Sequence, residues 1–294
     1  MSQQKVLILG VTGMLGHTLF KKLFVSDAYQ VFGTARSVLG LERHFTQDEL
    51  NLIRGGVDSE NFDSVIRAMA SVQPDIVINC IGLIKQLPIG SDPLTAITIN
   101  AQLPHRISLV SRTANARLIH VSTDCVFDGA SGRYAESDMP SPTDLYGRTK
   151  LLGEPTYPHC VTFRTSIIGH ELKNKLGLVE WFLAQNEAVQ GFTRAIYSGF
   201  TTLELAKIIE RYVLPNASLS GLYHVSSEPI SKNDLLGLVA KRYGKEIEIA
   251  PYDGFVCDRS LDSSRFRAIT GYIPPSWPEM IDEMWRDYRE TIRP

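Results

Sequence analysis

Tyr146 and Lys150 stand four residues apart in the run Tyr146-Gly147-Arg148-Thr149-Lys150. On a helix that spacing puts a phenol and an ammonium on one face. A free tyrosine has a pKa near ~10, too high for easy proton exchange at neutral pH, and a neighbouring cation favours the phenolate. Before Tyr146, Ser122-Thr123 follows the apolar run from Arg117 to Val121, which puts the Thr123 hydroxyl at a strand end. There it would hydrogen-bond a substrate carbonyl, whose oxygen gains negative charge as a hydride arrives. Tyr146 would supply the proton, and Lys150 could also donate to a nicotinamide ribose. A Tyr-x-x-x-Lys pair alone is common by chance. The order of the segments makes it specific.

The partner segment is Gly10-Val11-Thr12-Gly13-Met14-Leu15-Gly16, directly after the apolar run Val6 to Leu9. Gly10 permits a tight turn, Gly13 lets the backbone approach a pyrophosphate, and Gly16 lets helix and sheet pack closely. The N-terminus of the following helix offers free N–H groups and partial positive charge to the phosphates. The spacing is GxxGxxG, not the commoner GxGxxG, and glycine turns also join strands to helices for steric reasons alone. Its place after an N-terminal strand favours nucleotide binding. The second strand ends in Val31-Phe32-Gly33-Thr34-Ala35-Arg36, with an arginine and no carboxylate. That favours NADP(H) over NAD(H), because arginine accommodates a 2′-phosphate; a solvated surface arginine is the alternative.

These groups need a frame. The first half alternates short apolar runs with amphipathic stretches, the pattern of βαβ units and a parallel sheet. Strands are expected at 6–9, 30–34, 75–80, 117–121 and 161–165, with a helix over 14–24. The stretch 92–114 reads as one long helix that Pro104 should bend or interrupt. Beyond about Ser166 the pattern loosens: helices are expected at 203–213 and 232–243, flanking a strand at 222–225. The fold class is therefore α/β, a doubly wound parallel Rossmann sheet with a smaller C-terminal substrate-binding lobe. Residues 1–165 form the dinucleotide-binding domain, and 166–294 mainly the lobe, with some segments returning to the sheet.

A chain of 294 residues with 44% hydrophobic content can bury a substantial core. A net charge of −2 and the lack of a basic run argue against nucleic-acid binding. The apolar run after Met1-Ser2-Gln3-Gln4-Lys5 is too short for a signal-peptide core or a membrane span. Cys80, Cys125, Cys160 and Cys257 are widely spaced, so neither a disulfide framework nor a metal site is expected, and a reducing cytoplasm is the default.

With these motifs in order, the chain resembles the extended short-chain dehydrogenases/reductases. Val57-Asp58 resembles the family's adenine-contacting pair, Asn79-Cys80-Ile81-Gly82 its cofactor-lining turn, and Asn100 stands where the family places a helix asparagine. Within the family, Ser122-Thr123-Asp124-Cys125-Val126-Phe127-Asp128-Gly129 is similar to a segment of the dTDP-4-dehydrorhamnose reductases, as are Arg164-Thr165-Ser166 and Arg259-Ser260-Leu261-Asp262. The resemblance spans nearly the whole chain and implies NADPH-dependent reduction of a 4-keto-6-deoxy nucleotide sugar, in a homodimer by family habit. Two departures stand out: Cys125 where those enzymes usually carry tyrosine, and Ile167 where some carry a stacking tryptophan.

Cys125 also matches the cysteine of GDP-fucose synthases, and His170 falls close to their histidine. The resemblance there implies epimerisation before reduction. Dehydratase relatives use Thr-Asp-Glu at this strand end, and Cys125 replaces the glutamate. A substrate pyrophosphate needs cations; Arg194, Arg259 and Lys85 are candidates, though each reads equally as surface charge. Trp181 could line the pocket, or its helix could simply pack into the core. A different class stays open: regulatory subunits of methionine adenosyltransferase resemble these reductases and bind NADP without an established reductase role.

Overall fold

The computed structural model describes residues 3–85, 88–173 and 175–292. Its first half supplies six strands, β1 (Gln4–Leu9), β2 (Tyr29–Thr34), β3 (Ile53–Arg54), β4 (Ile76–Asn79), β5 (Arg117–Val121) and β6 (Cys160–Arg164). Between them run α1 (Met14–Phe24), α2 (Gln47–Asn51), α3 (Phe62–Val72), α4 (Pro93–Ala96), α5 (Leu103–Thr113) and α6 (Leu145–Leu152). The second half holds β7 (Ile167–Ile168), α7 (Leu178–Ala184), β8 (Val189–Phe192), β9 (Ala195–Tyr197), β10 (Phe200–Thr201), α8 (Thr202–Ile208) and β11 (Gly221–His224). Then follow β12 (Ile230–Ser231), α9 (Lys232–Tyr243), β13 (Ile249–Tyr252), β14 (Cys257–Asp258), α10 (Ser264–Thr270) and α11 (Trp277–Asp287). Among the described residues no helix is long and apolar enough to cross a membrane.

The central sheet has seven strands in the order β11-β6-β5-β4-β1-β2-β3, all parallel. Its strands alternate faces with period two, and both faces are covered. Val6 and Ile8 pack on one side with Leu15, Leu19, Phe20 and Leu23 of α1. Leu7 and Leu9 pack on the other with Val65 and Met69 of α3 and Leu103 and Ile107 of α5. Double burial explains why these strands read as unbroken apolar runs. After β3 the chain returns to the far side of β1, so the strand order reverses between β1 and β4. That crevice is where open α/β sheets bind ligands.

Three features refine the sequence expectations. The strand expected at 222–225 is β11, a second-half segment that returns to the main sheet and lies beside β6. Residues 93–113 stay helical through Pro104, but residues 97–102 adopt the wider π-helical turn, and the Leu103 N–H donates to the Thr98 carbonyl. Proline has no N–H for the regular ladder, so the helix widens instead of breaking. A similar π-helical segment, 209–213, continues α8. The lobe itself consists of small sheets, β12-β9-β14, β13-β8 and β10-β7.

Close packing at the β1–α1 turn explains two of its glycines. Gly10 has a φ of 87°, a region closed to most side chains. At Gly16 an added Cβ would stand 2.1 Å from the Gly10 carbonyl oxygen. Gly16→Ala is therefore expected to destabilise the protein by about 1–3 kcal/mol through overpacking. A lower denaturation midpoint, together with weakened dinucleotide binding, would be the check.

Candidate active site

The carboxyl ends of three neighbouring strands lie side by side, with Leu9 opposite Asn79 and Asn79 opposite His120. Each strand then opens into one of the segments singled out above. After β1, the Gly10 N–H donates to Thr34 Oγ1 at 3.1 Å and the Val11 N–H to the Thr34 carbonyl at 3.0 Å. Buried Thr34 thus fixes the turn. Gly13 caps α1 without any capping side chain, and no acid occupies the first helical turn. Gly13 is exposed and Thr12 and Met14 half-buried, so this terminus is open to an anion. Leu15 contributes backbone only, since its side chain belongs to the core. Below the loop, His17 bonds the Gly13 carbonyl at 2.9 Å, and burial pushes its pKa down to about 4.

Arg36 is exposed just past the end of β2. The Arg36 carbonyl accepts from the Gly56 N–H at 3.2 Å, which draws in the turn before Asp58. Asp58 is half-buried and spends one carboxylate oxygen on the Glu60 N–H at 3.1 Å. The turn Cys80-Ile81-Gly82 is shaped from both ends. Asn79 Oδ1 accepts from the Ile81 N–H at 3.1 Å. Asn100 clamps Leu83, accepting from its N–H at 2.9 Å and donating to its carbonyl at 3.1 Å. The amide of Asn100 also reaches Thr149 Oγ1 at 3.4 Å. Asn100, presented from the π-helical segment, therefore links the Cys80-Ile81-Gly82 turn to α6. Burial drives the Cys80 thiol up to about 12.

Helix α6 begins where Asp144 Oδ1 accepts from the Gly147 N–H at 2.8 Å. It carries Tyr146 and Lys150 to the β5 end. Lys150 is buried and donates to the Val121 carbonyl at 2.8 Å. Burial lowers its pKa to about 8, with Glu154 pulling the other way. An added Cβ on Gly82 would lie 3.9 Å from Lys150 Nζ, so the ammonium faces the Cys80-Ile81-Gly82 turn. Thr123 is buried; its hydroxyl accepts from the Cys125 N–H at 3.1 Å and donates to Asp124 at 3.2 Å. The Tyr146 phenol is raised above its ordinary value by burial and by Cys125, while a hydrogen bond with Thr123 opposes the rise. At neutral pH it is a protonated acid, as proton donation requires.

The wall facing this cluster comes from the end of the chain. Arg259 donates through Nε to the Phe127 carbonyl at 2.8 Å and through Nη1 to Cys125 Sγ at 3.4 Å. Cys125 is pushed up to about 12, by burial first and by Asp124 second. Lys85 is exposed, 3.9 Å from Asp144. Arg194 is exposed in the turn between β8 and β9, and its carbonyl accepts from the Cys257 N–H at 3.0 Å. Trp181 is 39% exposed, while Val179 and Phe182 bury the opposite face of α7.

His170 is placed elsewhere. Its Nδ1 meets Glu180 at 2.5 Å, its Nε2 meets the Tyr243 hydroxyl at 2.7 Å, and its ring stacks on Tyr288 at 3.9 Å between centroids. None of these is a neighbour of Cys125. The structure does not bring the expected pair together.

Sequence reasoning missed Glu154. It accepts from Ser122 Oγ at 2.7 Å and holds Arg164 through two bonds, at 2.9 and 2.8 Å, in a buried pair. Its place just past the end of α6, two residues beyond Leu152, leaves no helical spacing from which to read it. Lys232 was missed as well. It lies at the start of α9, within electrostatic reach of Asp124, Lys85, Cys125 and Cys257.

Fold and site together define an extended short-chain dehydrogenase/reductase, a class of nicotinamide-dependent oxidoreductases. Residues 4–290 match the family described as the RmlD substrate binding domain, and the chain belongs to that family. The dTDP-4-dehydrorhamnose reductase of Aggregatibacter actinomycetemcomitans is 28% identical over 235 residues, covering 76% of this chain and 74% of that one. Methionine adenosyltransferase 2 subunit beta of Rattus norvegicus is 32% identical over 154 residues, covering 51% of this chain and 42% of its own length. A crystal structure of the Bacillus anthracis dTDP-4-dehydrorhamnose reductase in complex with NADP matches with a TM-score of 0.80 at 22% identity, covering 98% of this chain and 99% of that one.

The buried ion pair makes a direct test of how the site is held. Glu154→Ala leaves the Arg164 guanidinium buried and unpaired, at an expected cost of about 3–5 kcal/mol. Pairing it with Arg164→Met should recover much of that loss in chemical denaturation.

Proposed function

We propose that the chain reduces the 4-keto group of a nucleotide-linked 4-keto-6-deoxy sugar, with NADPH preferred over NADH, in deoxysugar or polysaccharide biosynthesis. The observation that carries this reading is the convergence of a protonated phenol, a buried hydroxyl and a buried ammonium at the switch-point edge of the sheet. The uncapped α1 terminus and its glycine turn suit a dinucleotide pyrophosphate, and Arg36 would take a 2′-phosphate. Bound NAD(P)H would supply the hydride to the carbonyl carbon. The Thr123 hydroxyl and Tyr146 phenol would then meet the negative charge developing on the carbonyl oxygen. Tyr146 gives that oxygen its proton, and the ammonium of Lys150 favours the phenolate left behind. That the enzyme works as a cytoplasmic homodimer belongs to the same proposal and rests on the resemblance alone.

Cys125 is a neutral thiol near the reacting position, and His170 has both ring nitrogens engaged elsewhere. Reduction without epimerisation is the reading these contacts support. A regulatory, non-catalytic role draws support from the similarity to methionine adenosyltransferase 2 subunit beta. NADPH oxidation by the purified protein separates the two, with dTDP-4-keto-6-deoxyglucose, its 3,5-epimerised form and the GDP-mannose-derived ketone offered in parallel. Turnover of any ketone supports the reductase; no turnover of all three, alongside tight NADPH binding, supports the regulatory role.

In the reductase, Tyr146→Phe should lower kcat by about a hundredfold to ten-thousandfold while leaving NADPH affinity unchanged. Turnover should hold below pH 8 and fall as pH rises through the Lys150 pKa of about 8, because the ammonium is then lost. Arg36→Ala should weaken NADPH binding about tenfold with little change for NADH. Fluorescence titration of both cofactors reads out that preference.

A further inference from the structure

Lys232 is a cation near the candidate active site that neither the ion pairs nor the backbone contacts explain. It is half-buried at the first position of α9, and among the described residues its ammonium has no ion pair or hydrogen bond. The acid closest in sequence, Asp234, is taken by Ser231 Oγ at 2.8 Å and by Asn233 at 3.1 Å. A surface ion pair therefore does not account for it. Its position is also unfavourable by itself, since a helix start carries partial positive charge and Lys85 repels it.

Its surroundings belong to the active site. Strands β12 and β14 flank β9, and Ser231 and Asp258 both pair with Ile196. Two strand spacings, roughly 10 Å, separate those backbones. Lys232 follows the first and Arg259 the second, so the two cations start from opposite sides of β9. Arg259 touches Cys125, two residues beyond Thr123. Both cations act on the same buried carboxylate, Asp124, whose burial already disfavours its charged form. Lys85 is within electrostatic reach of Lys232 and 3.9 Å from Asp144, so three cations stand against these two acids. An excess of cations beside a carbonyl-reducing cluster suits a dianion attached to the ketone sugar.

We propose that Lys232, together with Arg259, grips the diphosphate of the nucleotide-sugar substrate and so sets how deeply the sugar reaches towards Thr123 and Tyr146. The proposal rests on the reductase reading above and extends it to a residue outside the resemblance. Lys232 is a binding residue here, with no part in the proton transfer. Its loss should therefore raise KM far more than it lowers kcat.

The test titrates dTDP, UDP and GDP calorimetrically into protein saturated with NADP, which keeps the probes out of the cofactor site. Wild type should bind at least one of the three. For that diphosphate Lys232→Met should weaken binding about tenfold or more, and Lys232→Arg should retain most of the affinity. NADP affinity and thermal midpoint should be unchanged in both variants. Binding by Lys232→Met within twofold of wild type would overturn the assignment while leaving the reductase reading intact. An equal loss of NADP affinity would also overturn it, by showing a structural role. Failure of wild type to bind any of the three would remove the nucleotide-sugar reading itself, and the assignment with it.

Discussion

The lateral registration of three parallel strands is the constraint on which this site depends. Leu9, Asn79 and His120 lie in one row across β1, β4 and β5, so the residues that follow them leave the sheet at a common edge. The side-chain period of a strand is two, and a slip of one residue would turn every apolar side chain to the wrong face. With Val6 and Ile8 buried on one side and Leu7 and Leu9 on the other, the neighbouring layers specify the alignment. A buried polar contact adds to it: Asn79 and His120 meet at 3.2 Å within that row. The glycine turn, the Cys80 turn and the Thr123 segment inherit their spacing from this alignment.

Upon that edge the protein keeps three charges out of water, on Lys150, Glu154 and Arg164. Buried charge is costly unless paired and hydrogen-bonded. Here one carboxylate serves three purposes. Glu154 fixes Arg164 with two bonds, takes the Ser122 hydroxyl, and favours the charged form of Lys150. Asn100 performs a neutral version of the same task from the opposite helix, holding Leu83 with both ends of its amide and reaching Thr149 with the nitrogen.

Much of this was legible in the chain. β5, α1 and α9 begin and end where their apolar patterns do, because local periodicity reports local burial. The glycine turn and the Tyr146/Lys150 pair were legible for a related reason: their chemistry depends on spacing along one element. Strand order is different, since nothing local in Gly221–His224 distinguishes a lobe strand from the seventh strand of the main sheet. His170 was misplaced because its ring is claimed by Glu180, Tyr243 and Tyr288, which come from α7, α9 and beyond α11. Lys232 was silent because Asp124 and Cys125, on which it acts, lie more than a hundred positions away.

The seam between Phe127 and Arg259 has a consequence for how the chain is made. During synthesis from the N-terminus, all of β1 to β6 is available once Arg164 has emerged. The outer edge of β6 nevertheless stays uncovered until β11 arrives at Gly221. An uncovered parallel edge is a template for wrong pairing. The seam closes later still, when Arg259 meets Phe127 and Leu261 bridges Tyr134. A nascent chain thus carries its glycine turn and its Tyr146 helix well before the seam that Arg259 and Leu261 complete.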